Sequence, residues 1–306
     1  MRPRDVYRRL ADHLSSLGMG YPFSQDLEEV LRANFTPMEA EIARVLPNRV
    51  IPLQPTGIED IMEAVRIPRG ELKDILEGLS QRGLLLSAKG KDGRVGYALQ
   101  QVGFGFPQAF FWKGEDTPHA RNMAGLVVKY FNRKVNREAY GSAETKPFRY
   151  IPVGETIGLD IQVVYPYHMM ERVIQQAKVI AVAHCACRMT AHFRGRGCEH
   201  PTEVCIKFDD LAEHMIERKL AREITKEEAL EIIKRSEEAG LVHFVDNAIG
   251  DIKHNCNCCG CACWNVGSIK RKKSNLCCLS PQGEFGNCLK RALEWSKSLF
   301  KERKGI

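Results

Sequence analysis

The sequence predicts an α+β chain in two parts: helices closed by a β-hairpin, then a small α/β domain that holds all the cysteine. Three observations support this. Apolar residues recur at helical spacing behind capping residues through most of the first eighty positions. A glycine-tipped pair of short runs follows, Leu84–Ser87 and Arg94–Leu99. All twelve cysteines lie at or beyond Cys185.

The elements are justified in order. Val6, Leu10, Leu14 and Leu17 give an amphipathic start that ends at the Gly18–Pro22 turn. Thr36-Pro37-Met38-Glu39 combines a cap, a first-turn proline and a glutamate three residues on, opening a helix with Ala40, Ile42, Ala43 and Leu46 inward. Thr56-Gly57-Ile58-Glu59 predicts a second capping box before Ile61, Met62 and Val65. A third helix carries Leu72, Ile75, Leu76 and Leu79 and stops at Gly83. The hairpin turns at Lys89-Gly90-Lys91-Asp92-Gly93. Residues 36–100 so arranged resemble a winged helix-turn-helix, a module that reads DNA or docks proteins. Arg69, Lys73 and Arg82 on its third helix are opposed by Glu71, Asp74 and Glu77, a mixed face that favours docking over phosphate binding. The sequence thus divides into a winged-helix-like domain at 1–103, an aromatic-rich connecting segment at 104–165 and a cysteine-rich domain at 166–306. In the connector, Thr117-Pro118 starts a helix through Met123, Leu126, Val127, Tyr130 and Phe131 whose basic side is solvated.

Composition bounds the function. With 306 residues, 44% hydrophobic and 27% charged, the chain excludes a long disordered polypeptide, a collagen-like repeat and a membrane bundle. The stretches Val179–Ala183 and Phe104–Trp112 are too short to span a bilayer. The N-terminus lacks the apolar core of a secretion signal, which predicts a cytoplasmic protein. The charge of +7 is localised: residues 251–306 hold eleven Lys and Arg against four Asp and Glu, and the remainder of the chain is neutral. Neither a Gly-x-Gly-x-x-Gly turn nor a phosphate loop is present, so no nucleotide is inferred.

The chemistry lies in the cysteines. Val179–Ala183 predicts a strand leading to Cys185-Ala186-Cys187-Arg188, followed by Cys198 and Cys205. In a reducing compartment such a set indicates metal or cluster binding rather than disulfides. Paired C-x2-4-C knuckles suit zinc, whereas this C-x-C-x10-C-x6-C set fits one 4Fe-4S cluster better, with Arg188, Arg194 and Arg196 offsetting its negative charge. His184, His192 and His200 flank the set and could substitute for a ligand, but a bystander role is favoured for each, since four thiols complete the count. A helix through Ala229, Ile232 and Ile233, opened by Thr225-Lys226-Glu227-Glu228, precedes a second strand, Leu241–Val245, that leads to a second set. Cys256, Cys258, Cys259, Cys261 and Cys263 are joined by Cys277, Cys278 and Cys288: eight thiols, enough for two four-ligand sites. A zinc or copper thiolate store remains the alternative, since soft thiolates also select those ions.

The stretches IAVAHCACR, GRGCEHPTEVCIKF, ITKEEALEIIKRSEEAGLVH and NCNCCGCAC resemble a group of little-characterised ferredoxin-like 4Fe-4S proteins of anaerobes that carry an N-terminal winged-helix-like region. The resemblance implies at least one 4Fe-4S cluster, and two by thiol number, in electron transfer to or from a partner oxidoreductase. Members commonly end in a C-x2-C-x2-C-x3-C-P ferredoxin module, which this sequence lacks. Two other readings stay open: a redox-sensing regulator that uses the winged helix on DNA, and a structural zinc protein. The expected partner is an acidic redox protein or oxidoreductase subunit, steered by Lys270–Lys273 and a basic amphipathic helix near 287–303. The winged-helix-like region can also support a homodimer.

Overall fold

The computed structural model describes residues 3–17, 20–48, 55–90, 93–100, 105–131, 148–150, 170–246 and 252–264, with positions 135 and 138. Cys277, Cys278, Cys288, the Lys270–Lys273 run and the 287–303 helix lie outside the described residues, as does most of the 132–165 connector. The chain forms two compact units. Met1–Ser142 with Glu217–Leu220 make the first, and Ala143–Ile216 with Ala221–Ile306 make the second.

In the first unit, α1 (Pro3–Ser15), α2 (Gln25–Arg32) and α3 (Pro37–Val45) precede β1 (Thr56–Gly57), α4 (Ile58–Val65), α5 (Arg69–Gln81), β2 (Leu85–Lys89) and β3 (Val95–Leu99). A 3-10 turn at Gln108–Phe111 and α6 (Pro118–Tyr130) follow. The capping box of α3 forms in full: the Thr36 hydroxyl accepts from Glu39 N–H, and the Glu39 carboxylate accepts from Thr36 N–H at 2.8 Å. Leu10 and Leu14 of α1 bury with Ile42, Ala43 and Leu46, as the helical spacing requires. Gly83 ends α5 in the left-handed region at φ 70°, where any side chain would be strained, and Leu84 N–H closes back on Leu79 O.

The second capping box does not form. Gly57 occupies the cap of α4 without a side-chain hydrogen bond. Thr56 and Gly57 instead pair as β1 with Tyr97 and Gly96, giving a three-stranded antiparallel sheet in the order β1-β3-β2. A Cβ on Gly96 would come within 2.7 Å of Thr56 O, so glycine is what lets this strand approach. Long-range backbone pairing has overridden a local capping signal.

The aromatic-rich residues 105–131 complete the core of this unit. Tyr21 stacks on Phe106 at 4.6 Å between centroids and donates its hydroxyl to Phe106 O. Trp112, Phe111, Met123 and Val127 are buried, and Lys129 pairs with Asp26 and Glu29. The basic side expected of α6 is thus partly neutralised. Arg218, from the returning Glu217–Leu220 segment, donates to Ser87 Oγ and pairs with Glu77, which also accepts the Tyr97 hydroxyl at 2.7 Å.

The second unit has a six-stranded sheet in the order β4-β8-β9-β6-β5-β7. Its elements are β4 (Phe148–Tyr150), α7 (Met170–Gln176), β5 (Ile180–His184), α8 (Ala186–Phe193), β6 (Glu203–Phe208), α9 (Asp209–Glu217), β7 (Arg222–Glu223), α10 (Lys226–Glu238), β8 (Val242–Asp246) and β9 (His254–Cys258). Every strand pair is antiparallel, so this part is not the α/β unit expected from the sequence; both units belong to an α+β fold. One sheet face carries Ile180, Val182, Val204, Ile206, Phe208 and Val245 into a core with Ile174 of α7 and Ala229, Ile232 and Ile233 of α10. The opposite face is also buried, at Ala181, Cys205, Lys207, Phe244 and His254.

Candidate metal centre

Strand periodicity places the site. On β6, Cys205 and Lys207 alternate with the core residues Val204, Ile206 and Phe208. On β9, His254, Cys256 and Cys258 share one face, while Asn255 and Asn257 take the other. The register sets Lys207 opposite His254, with Ile206 opposite Asn255, so Cys205 falls opposite Cys256. Cys205 therefore lies on a strand. The second cysteine run likewise begins inside a strand, β9, instead of in a loop beyond β8.

Six thiols form one interacting group. Cys185 caps α8, Cys187 stands in its first turn, and Cys205, Cys256, Cys258 and Cys263 complete it. Hydrogen bonds from Cys205 and Cys258 hold the Cys256 thiol well below its usual range, with help from His254 Nε2 at 2.7 Å. Cys205 and Cys258, the donors, are pushed up, first by those bonds and then by burial. Cys185 is lowered by its bond from Cys187 and by Arg188, and Cys187 is raised in turn. Trp264 N–H also points to Cys187 Sγ at 3.4 Å. A second group gathers Cys198, His200, Cys259 and Cys261, whose donor atoms all lie within 4.8 Å of one another. Cys205, His254 and Cys256 meet the same criterion within the first group. None of the nine described cysteines forms a disulfide.

The two groups cut across the sets drawn along the chain. Cys185, Cys187 and Cys205 join the later cysteines, and Cys198 is parted from them to join Cys259 and Cys261, with Cys198 Sγ 3.9 Å from Cys259 Sγ. The physical reason is the β6–β9 pairing, which brings together residues about fifty positions apart.

Two buried cations accompany the sulfurs. Arg188 is 1% exposed; its Nη1 donates to Asn257 O, while Nε and Nη2 find no hydrogen-bond partner among the described residues. Its guanidinium lies against Cys185, Cys258 and Cys259, and their negative charge raises its pKa although burial opposes this. Arg194 and Arg196 are exposed. Lys207, 0% exposed, donates to Cys205 Sγ at 3.4 Å and contacts His254 Nδ1. Burying a cation costs several kcal/mol, on the order estimated for an ion in a dry interior, unless negative charge lies beside it. Thiolates bound to a metal would supply that charge. The donor chemistry therefore fits a metal–thiolate centre.

Lys207 and His254 were not foreseen as parts of a site, while His200, read as a bystander, joins one. The alternations Cys-Ile-Lys and His-Asn-Cys-Asn-Cys were the available signal for the first two, since period two puts those residues on one face. His243 is a brace: burial keeps it neutral, and it bonds Asn257 at 2.7 Å, whose amide reaches Val204 O across the sheet.

Comparison of the chain with family models, with curated proteins and with solved structures returns no match. Among the described residues no helix is long and apolar enough to cross a membrane. What the fold and site define is a chain whose cysteine and histidine groups can hold metal.

Proposed function

We propose that this chain is an iron–sulfur redox protein in which the six-thiol group holds a 4Fe-4S cluster that exchanges electrons with a partner oxidoreductase. One observation carries the reading: six thiols converge beside a buried arginine and a buried lysine. Six exceeds the four ligands that a single tetrahedral ion accepts, which favours a multinuclear centre. The resemblance to ferredoxin-like proteins of anaerobes points the same way. Such a cluster supplies one-electron transfer.

The residues of this chain have separate tasks. A 4Fe-4S cluster takes four thiolates, one per iron: Cys256, already held toward the thiolate by three neighbours, would be one, with the other three drawn from Cys185, Cys187, Cys205, Cys258 and Cys263. Arg188 and Lys207 offset ligand charge, and Phe244, paired with Cys256 across the sheet, helps exclude water. The first unit supports a winged-helix reading through its element order, helix, strand, two helices, then hairpin. Arg69 pairs with Glu59 and Arg82 with Glu39, leaving fewer cations for phosphate, which supports protein docking over DNA.

Anaerobic purification with iron and sulfide analysis, followed by EPR of the reduced protein, tests the proposal. About four irons and four sulfides per cluster with a paramagnetic reduced state are expected. Protein holding zinc or copper and no sulfide would replace the reading with a thiolate store.

A further inference from the structure

We infer that Cys198, His200, Cys259 and Cys261 form a second, mononuclear centre that takes zinc. The inference does not depend on what fills the six-thiol group.

Count and geometry agree. The four donor atoms lie mutually within 4.8 Å, a compact set that one ion can close. A tetrahedral zinc with bonds of about 2.3 Å to sulfur and about 2.0 Å to nitrogen holds its donors roughly 3.5–3.8 Å apart. The Cys198–Cys259 sulfur separation of 3.9 Å is close to that edge, and far from the length of about 2.05 Å that a disulfide requires. Three sulfurs and one imidazole make a closed set with no position left for substrate, the pattern of a structural site.

The chain delivers the donors as two short hooks. Cys198-Glu199-His200 comes from the loop before β6, and Cys259-Gly260-Cys261 from the turn after β9. In each hook the donors are two residues apart, so both can face one ion from an extended or turning backbone. Soft thiolates select against magnesium and calcium, and zinc stands above iron(II) in affinity for such nitrogen–sulfur sites. Three thiolates and a neutral imidazole around a dication leave one negative charge, and Arg188 lies against Cys259 to offset it.

The position suggests the service. Cys259 and Cys261 stand between Cys258 and Cys263, and Cys198 stands between Cys187 and Cys205, so each hook is bracketed by members of the six-thiol group. An ion joining the hooks would fasten the loop after α8 to the turn after β9. It would hold both halves of the larger group at their spacing.

The test uses the full chain purified anaerobically from zinc-replete cells, with elemental analysis and zinc-edge X-ray absorption. About one zinc per chain with three sulfurs and one nitrogen in its shell is expected. His200→Cys should keep the zinc and convert its shell to four sulfurs, which guards against a variant that merely unfolds. His200→Ala and Cys261→Ser should each weaken zinc retention against a chelator at least about 100-fold, beyond the loss caused by removing an outer partner. No zinc even after Zn2+ is supplied, a shell without nitrogen in the wild type, or unchanged retention in both weakened variants would overturn the inference. Iron and sulfide content is read in the same samples, so loss of the cluster reading and loss of this one are told apart.

Discussion

The two units solve the problem of buried polarity in opposite ways. In the first, charges pair at or near the surface: Lys129 with Asp26 and Glu29, Arg82 with Glu39, and the part-buried Arg218 with Glu77, while the interior is leucine, isoleucine and aromatic rings. In the second, one sheet face is equally apolar, but the other buries Arg188 and Lys207 among thiols. The first unit has the ordinary supports of an independent fold. The second has charges in the interior that metal-bound thiolates would balance, so its stability should depend on what it binds.

The sharpest way to break this contrast is to remove the central thiol. Cys256→Ser should abolish bound iron, and hydrogen exchange should then quicken through β5, β6 and β9 while α3 and α5 keep their protection. Equal loosening of both units would show that the contrast is false. Chelation of the wild type under reducing conditions should give the same pattern, because ligand-linked stability disappears with the ligand.

Arg188→Gln tests whether the buried cation acts on the centre or only fills space. Loss of a positive charge disfavours the more negative, reduced state, so the midpoint potential should fall by roughly 50–100 mV, a charge interaction of about 1–2 kcal/mol at intermediate dielectric. Iron content should stay near that of the wild type. An unchanged potential would assign the guanidinium a packing role.

The converse test falls on the first unit. Burial alone would raise the Glu77 pKa, but hydrogen bonds from Tyr97 and Arg218 outweigh it and hold the carboxyl below its ordinary range. Glu77→Gln should cost roughly 1–3 kcal/mol in denaturant unfolding, the range for removing a charged hydrogen-bond partner, and leave iron content untouched. Because the folded carboxyl titrates below its unfolded value of about 4.3, its contribution is whole above that pH. It fades as the pH falls through the lower folded value, and the substitution should remove that part of the acid sensitivity. The smallest effect is expected at Thr36→Ala, which removes one half of the α3 capping box and should cost about 1 kcal/mol by the same measurement.

The amino-acid order by itself determined what is local. Helix α3 was legible because its cap, its first-turn proline and its glutamate lie within four residues, and α5 because Gly83 ends a clean apolar stripe. The cysteine content alone indicated metal chemistry, and Cys185 was legible at the end of its strand because Val179–Ala183 is a compact apolar run. Tertiary structure decided what is distant. Thr56 is equally well placed to cap a helix or extend a sheet, and only the approach of Gly96 settled it. No spacing rule could pair Cys205 with Cys256, move Cys198 to Cys259, or bring Lys207 to His254. Those partnerships follow from the β6–β9 register, which is set by burying Val204, Ile206 and Phe208 on the opposite face of the sheet. A one-residue slip would send every thiol on those strands into the hydrocarbon core, so the apolar residues that alternate with Cys205 and Lys207 on β6, rather than the cysteine spacing, select the site.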